Sequence, residues 1–219
     1  MNPSRLFLAV AGATVLLASK GLPMSTVVVP YEEFFRAEAG MRWLDRAAQC
    51  RAESNFNPTA TSYIWKKRIV GGVFTLVKTP CAFGIAQFTL PTWREMQRRG
   101  VVPVFVYDVE GTRIDNNPDY YDPATAIKAQ NFYMRDIEAQ FQGDNAKSLG
   151  AYNAGISSIK NAERRAASLG YSGSEAWMKA LPLVVGKNLK TEKSHAEETI
   201  GYVKRIRQYR DEYKKAGLV

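Results

Sequence analysis

The run WLDRAAQC, residues 43–50, sets apolar or small side chains at 43, 44, 47, 48 and 50, three and four positions apart, the spacing of one helix face. At about 100° per residue, Glu53 falls about 60° from Cys50, on the border of that stripe. Asn57-Pro58 is expected to end the helix, because proline disfavours the α region in the residue before it. Residues 62–78, SYIWKKRIVGGVFTLVK, change to aromatic and β-branched types around Gly71-Gly72, which predicts two short strands joined by a glycine turn. TLPTWREMQRR then reads as a helix entry with Pro91 near its first turn. Residues 100–122, rich in Val, Gly, Asn and Asp, predict a loop carrying a short strand or hairpin. Helical spacing returns with Ala126, Ala129, Phe132, Tyr133 and Ile137 on one face, and SLGAYNAG belongs to a short helix from about Lys147. In the last segment Ile200, Val203, Ile206, Tyr209 and Tyr213 form one stripe with basic residues between them. No internal repeat is present. The pattern predicts a mainly α domain with a small β insertion.

The front of the chain follows a different rule. Arg5 precedes LFLAVAGATVLLA, residues 6–18, which has neither a charge nor an amide side chain. It is shorter than the roughly 20 residues that span a hydrocarbon core and typical of the apolar part of an export signal. An export signal, an uncleaved anchor in contact with a membrane, and a buried helix are the readings it allows. GLPMSTVVVP, 21–30, is an extended connector. The expected organisation is a leader or anchor with connector over 1–30 and one domain over 31–219.

With 219 residues, 46% of them hydrophobic, the chain can build one mid-sized core. Lys plus Arg number 30 against 21 for Asp plus Glu, and the formal charge of +9 favours a polyanion: nucleic acid, anionic lipid or an acidic cell wall. The basic residues are scattered, from Lys66, Lys67 and Arg68 to Arg98 and Arg99, Arg164 and Arg165, and Lys204 to Lys215. No zinc finger, phosphate loop or ribonucleoprotein pattern converts that charge into specific nucleic-acid binding, which is not expected. Cys50 and Cys81 are the only cysteines, so a zinc site built on several is excluded. They are either two buried thiols or, in a chain that leaves the cytoplasm, a 50–81 bridge. Its loop of about 32 residues would be worth roughly 3–4 kcal/mol. His195 is the single histidine, and no G-x-S-x-G elbow accompanies it; it is read as solvated or capping. Carboxylate and tyrosine remain as acid–base equipment, with no cofactor or metal expected.

Five ordered segments change the weight of Glu53. They are Glu53-Ser54-Asn55-Phe56-Asn57-Pro58, the run from Gly84 through Gln87 to Pro91-Thr92, Asp122-Pro123, Ala151-Tyr152-Asn153-Ala154-Gly155, and Glu198-Thr199-Ile200-Gly201-Tyr202-Val203. Together they resemble the soluble lytic transglycosylase family. The resemblance implies a lysozyme-like helical fold and cleavage of peptidoglycan glycan strands. It implies Glu53 as acid and then base, with no second carboxylate, so that the muramic C6 hydroxyl closes a 1,6-anhydro ring. A hydrolytic muramidase using one of Asp108, Glu110, Asp115 or Asp119 is the alternative, as is a structural role. By the same resemblance Gln87 and Asn153 are amide donors to sugar, and Tyr152 lies beside the scissile bond. Ser54 either touches sugar or serves packing and capping. Glu198 lies near the cleft, holding Tyr152 or binding substrate, with Tyr202 packed under Tyr152. Gly84 and Gly155 are expected to permit close approach. Trp43 is read as core, and Trp65, Trp93 and Trp177 stay undecided between core and sugar platform.

Two departures from the family pattern stand out. Residues 63–80 look like an insertion between Glu53 and Gln87, a flap for wall or partner contact. Gln130 replaces a family glycine. A short leader before such a domain is similar to wall-opening enzymes of secretion or conjugation systems and of phage particles. The expected partners are therefore glycan strands, a membrane through residues 6–18, and proteins of such a machine, with action in the bacterial periplasm or envelope.

Overall fold

The computed structural model describes residues 27–70, 73–105, 109–110, 119–185 and 194–219. The leader, the turn glycines Gly71-Gly72, Asp108 and Asp115 lie outside the described residues. The chain forms α1 (Glu32–Ala39), α2 (Trp43–Ser54), β1 (Thr61–Val70), β2 (Val73–Phe83), α3 (Leu90–Arg98), α4 (Pro123–Gln140), α5 (Asn145–Ala154), α6 (Ile156–Ser168), α7 (Ala176–Ala180) and α8 (His195–Lys215). It is mainly helical, as the periodicity predicts, and the strands form a single antiparallel hairpin. Among the described residues of 100–122 there is no strand.

Local chemistry explains most of the boundaries. Thr89, Asp122 and Asp144 each accept a backbone N–H from the first turn of α3, α4 and α5, and Pro91 and Pro123 sit where a missing N–H costs nothing. Ser194 and Glu197 form a reciprocal capping box at the start of α8. The end of α2 corrects the expectation: the helix stops at Ser54, and Asn55 adopts the left-handed conformation with φ of 52°, closing on the Arg51 carbonyl. Proline at 58 comes after the helix has already ended.

The packing of α2 follows its stripe. Trp43, Leu44, Ala47, Ala48 and Cys50 are buried, together with Arg46 and Gln49. These last two and Cys50 form a polar strip that meets α4 at steps of about one turn. Arg46 Nη2 donates to Glu138 Oε1 at 2.7 Å, Gln49 Nε2 to Met134 Sδ at 3.6 Å, and Cys50 Sγ to Gln130 Oε1 at 3.4 Å. Arg42 reaches the same Glu138 oxygen from the rim. Removing one partner of such a buried pair costs about 3–5 kcal/mol, because the other charge is left stranded. Gln130 is fully buried and its Nε2 also donates to the Arg46 carbonyl, so it fills the α2–α4 seam.

Of the two readings open for the cysteines, the bridge is not formed: Cys50, buried, and Cys81, partly buried, are both free. The reason is directional. Cys50 points into the α2–α4 seam, where Gln130 holds its thiol, while Cys81 is part of β2. Trp43, Trp93 and Trp177 are all buried to within 2% of full exclusion, which makes two of the three undecided ones, Trp93 and Trp177, core and removes them as sugar platforms, while Trp65 is only partly buried.

Gly84 bears out its expected role. Its φ is +74°, and a Cβ built there would lie 1.7 Å from the Tyr120 carbonyl oxygen. Gly155 has φ of +88° with open space around it, so it serves the α5–α6 junction by conformation and not by close approach. Gly84→Ala is expected to destabilise the fold by about 3 kcal/mol or more, read as a lowered midpoint in chemical denaturation. Gly155→Ala, with strain but no clash, is expected to cost about 1–2 kcal/mol in the same measurement.

Candidate active site

Glu53 occupies the last turn of α2, two helical turns after Arg46 and on the same face, so the polar strip against α4 leads to it. Where the strip leaves α4, α8 takes over: the Tyr202 hydroxyl donates to Glu53 Oε1 at 2.5 Å. Tyr202 is itself 2% exposed. Glu53 keeps part of its surface open, yet its packing removes enough water to raise its pKa from 4.5 to about 7. The Tyr202 bond and then the Arg205 guanidinium oppose that rise by favouring the anion. The acid is thus poised between proton donor and carboxylate near neutral pH.

The glycine–glutamine turn is clasped from two sides. Ser54 Oγ donates to the Ile85 carbonyl at 2.8 Å, and Tyr152 OH donates to the Ala86 carbonyl at 2.7 Å. The turn therefore sits between the end of α2 and the α5 segment that bears Tyr152 and Asn153. Burial, first, and the nearby Glu53 charge raise the Tyr152 pKa well above the usual phenol range, so it stays protonated as a donor. Gln87 has φ of +51°, and its Nε2 donates to the Gly84 carbonyl at 2.8 Å and the Ala60 carbonyl at 3.3 Å. Its Oε1 accepts from Ser62 at 2.5 Å, which ties the turn to the root of the hairpin. Of the two readings for Ser54, the observed bonds are those of local packing.

Asn153 is exposed, and its Oδ1 accepts from Thr199 Oγ1 at 2.8 Å. It borders a cleft of about 500 Å³ lined also by Ala154, Ser158, Val184, Val185, His195, Glu198 and Thr199. Glu198 thus lies at a cleft, as expected, but its carboxylate faces His195 Nδ1 at 3.2 Å and does not hold Tyr152. Glu53, Gln87 and Tyr152 are outside the lining of that cleft, which extends from the Asn153 side of the site. Tyr202 packs not merely under Tyr152 but directly on the acid. The matched Glu198–Val203 run contained it; its contact with Glu53 depends on how α2 and α8 cross. Of the loop acids offered as a second carboxylate, Glu110 is exposed and Asp119 accepts the Tyr121 N–H at 2.7 Å. Among the described residues, the groups that act on the Glu53 carboxyl are a tyrosine and an arginine.

A helical domain arranged around one half-buried acid, with a small hairpin beside it, defines a lysozyme-like fold. The chain belongs to the Transglycosylase SLT domain family, whose profile matches residues 47–173, more than half of its length. Among solved structures it is similar to the 70 kDa soluble lytic transglycosylase of Escherichia coli, with 21% identity and a TM-score of 0.58 over 86% of this chain and 24% of that one. A complex of the 70 kDa soluble lytic transglycosylase with bulgecin A matches at 20% identity and TM-score 0.58, over 85% and 24%. An inactive mutant of the lytic transglycosylase Slt of Pseudomonas aeruginosa matches at 19% and 0.56, over 87% and 25%. This chain therefore spans about a quarter of the length of those proteins. No curated protein matches it.

The raised Glu53 pKa has a sign that can be tested. Because the folded value lies above the unfolded one, the stability it contributes is full below about pH 4.5 and is lost as pH rises to about 7. Glu53→Gln is expected to flatten that decline in denaturation midpoints taken from pH 4 to 8. Tyr202→Phe removes a bond that favours the anion, so direct titration of Glu53 by carbonyl NMR or infrared spectroscopy is expected to show its pKa moving up.

Proposed function

We propose that this chain is a peptidoglycan lytic transglycosylase that cleaves the β-1,4 bond between N-acetylmuramic acid and N-acetylglucosamine without water. Family membership supports the reaction class. The observation that carries the mechanism is the Glu53 carboxyl, half-buried at the end of α2 and bound by the Tyr202 hydroxyl at 2.5 Å. Protonated Glu53 gives its proton to the leaving glycosidic oxygen as the bond from the muramic C1 breaks. The carboxylate left behind is stabilised by Tyr202 and Arg205. It then takes the proton of the C6 hydroxyl as that oxygen bonds to C1, which closes the 1,6-anhydro ring and returns Glu53 to its acid form. The nucleophile is carried by the bound sugar, so no water has to be recruited or oriented.

One observation favours ring closure over hydrolysis. An inverting or retaining hydrolase needs a second carboxylate at a set distance from the first. Here the described groups acting on Glu53 are Tyr202 and Arg205. Tyr152, whose hydroxyl proton goes to the Ala86 carbonyl, holds the turn beside Glu53 and leaves its oxygen as a hydrogen-bond acceptor toward the scissile bond. Asn153, exposed at the edge of the cleft, meets an N-acetyl or hydroxyl group. Gln87 acts by holding the backbone turn against Tyr152 and Ser54, and not through a free amide. We place this work in the bacterial envelope, where the substrate lies, and the +9 charge suits a wall that bears carboxylates.

Digestion of purified peptidoglycan with mass analysis of the fragments tests this reading. The wild type is expected to release anhydro-ended muropeptides, and Glu53→Gln to lower the rate by about 10²–10⁴-fold. Activity is expected to fall about tenfold per pH unit above about 7, as Glu53 loses its proton. Fragments heavier by one water would replace the mechanism with hydrolysis, and no release by either protein would overturn the activity.

A further inference from the structure

Beyond its root, the hairpin of β1 and β2 has no role in the site described above. Its strands are 10 and 11 residues long and pack chiefly on each other. At about 3.3 Å per residue it projects about 30 Å. Its root is fixed to the domain: Gly84 N–H donates to the Ala60 carbonyl at 2.8 Å, Thr61 Oγ1 meets Tyr121 OH at 3.1 Å, and Ser62 bonds Gln87.

The most exposed apolar residues of the hairpin lie nearest its tip, with Leu76, Tyr63 and Ile64 exposed to a lesser degree toward the root. Nearest the tip, Val70 pairs with Val73 and Ile69 with Phe74; the Ile69, Phe74 and Val73 side chains are 66%, 78% and 65% exposed. The next pairs toward the root are Arg68 with Thr75, Lys67 with Leu76, Lys66 with Val77 and Trp65 with Lys78. Alternation puts Lys67 and Lys78 on one face and Lys66 and Arg68 on the other, so cations surround the ribbon. Behind them come Trp65 and Tyr63, with Lys78 Nζ 4.4 Å from the Tyr63 ring. Residues 61–83 contain four cations and no Asp or Glu.

A protein partner docking on a sheet face selects for one apolar face, and a glycan strand selects for hydrogen-bonding and stacking groups. An apolar end, a girdle of cations on both faces, and aromatics behind it instead match the profile of a lipid interface met end-on. The scale agrees as well: two residue pairs extend about 7 Å, within the 5–10 Å to which interfacial elements bury. We propose that this hairpin is a docking element for an anionic lipid surface, with Ile69, Val73 and Phe74 below the phosphates and Lys66, Lys67, Arg68 and Lys78 on the headgroups. Because its root is bonded to the Gln87 turn, the docked hairpin also sets the orientation of the active site relative to the membrane. The inference stands apart from the glycan chemistry and does not depend on it.

The test uses the full chain carrying Phe74→Trp as a reporter at the tip, read as a difference from the wild type. Vesicles are phosphatidylcholine alone or with phosphatidylglycerol, with and without brominated acyl chains. On anionic vesicles at low salt the added indole is expected to shift its emission to the blue and to be quenched by bromine, and on phosphatidylcholine to do neither. Adding Lys66→Ser, Lys67→Ser and Arg68→Ser is expected to weaken that partition on the order of 100-fold. Because the readout is at the tip, an interaction through residues 6–18 does not produce it. Bound protein whose tip emission is unshifted and unquenched would overturn the proposal. So would a blue shift that needs only rising protein concentration, which indicates a second copy, or one produced by lipid-free peptidoglycan. Release of fragments from soluble glycan strands is expected to be unchanged in all these variants.

Discussion

The orientation of α2 about its own axis is the constraint on which the rest of the site depends. Arg46, Gln49 and Cys50 are polar or weakly polar groups on the buried side of a helix, and each meets a partner on α4, at Glu138, Met134 and Gln130. Turning α2 would strand at least one charge in the core, at a cost of several kcal/mol. The same face reaches Glu53 one turn beyond Cys50. A carboxyl that shifts toward neutrality must be dehydrated without being sealed, and only a narrow range of helix orientations gives that result. The α2–α4 ladder holds the helix within that range, and α8 completes it with Tyr202.

Around this acid the fold gathers loops that have little strength of their own. The turn from Gly84 to Gln87 runs through positive-φ conformations at both ends and has Tyr120 pressed against Gly84. Its carbonyls are held by Ser54 on one side and Tyr152 on the other. The serine that follows the acid and the tyrosine that faces it therefore also build the wall between them. The hairpin extends from the same turn through Ser62 and Ala60, so a long projecting element and the chemical centre share one anchorage. The root of the hairpin is joined to the turn beside Glu53 by hydrogen bonds.

Much of this was legible in the sequence because spacing survives folding. The stripes of α2 and α8, the entry of α3 at Pro91, and the strands on either side of Gly71-Gly72 are local properties, and the structure places them within a few residues of expectation. The end of α2 was misread because Asn55 closes the helix by its own left-handed conformation, three residues before the proline. The helix α6 follows Gly155 so directly that the short-helix pattern through SLGAYNAG hid its separate beginning. The choice between free thiols and a bridge for Cys50 and Cys81 stayed open because sequence shows that two thiols exist but not where they point.

The sequence by itself determined the order of motifs, the presence of one acid on the edge of an apolar stripe, the hairpin and its cluster of positive charge. These follow from periodicity, capping chemistry and counts, which require no knowledge of distant neighbours. Tertiary structure alone decided that Tyr202 and not Glu198 meets Glu53, that Gln130 and not Cys81 meets Cys50, and that the Gln87 amide is spent on its own turn. Hydrogen bonds between side chains 80 or 149 residues apart depend on how helices cross, and desolvation depends on everything that surrounds a group at once. Neither quantity is carried by any single stretch of chain.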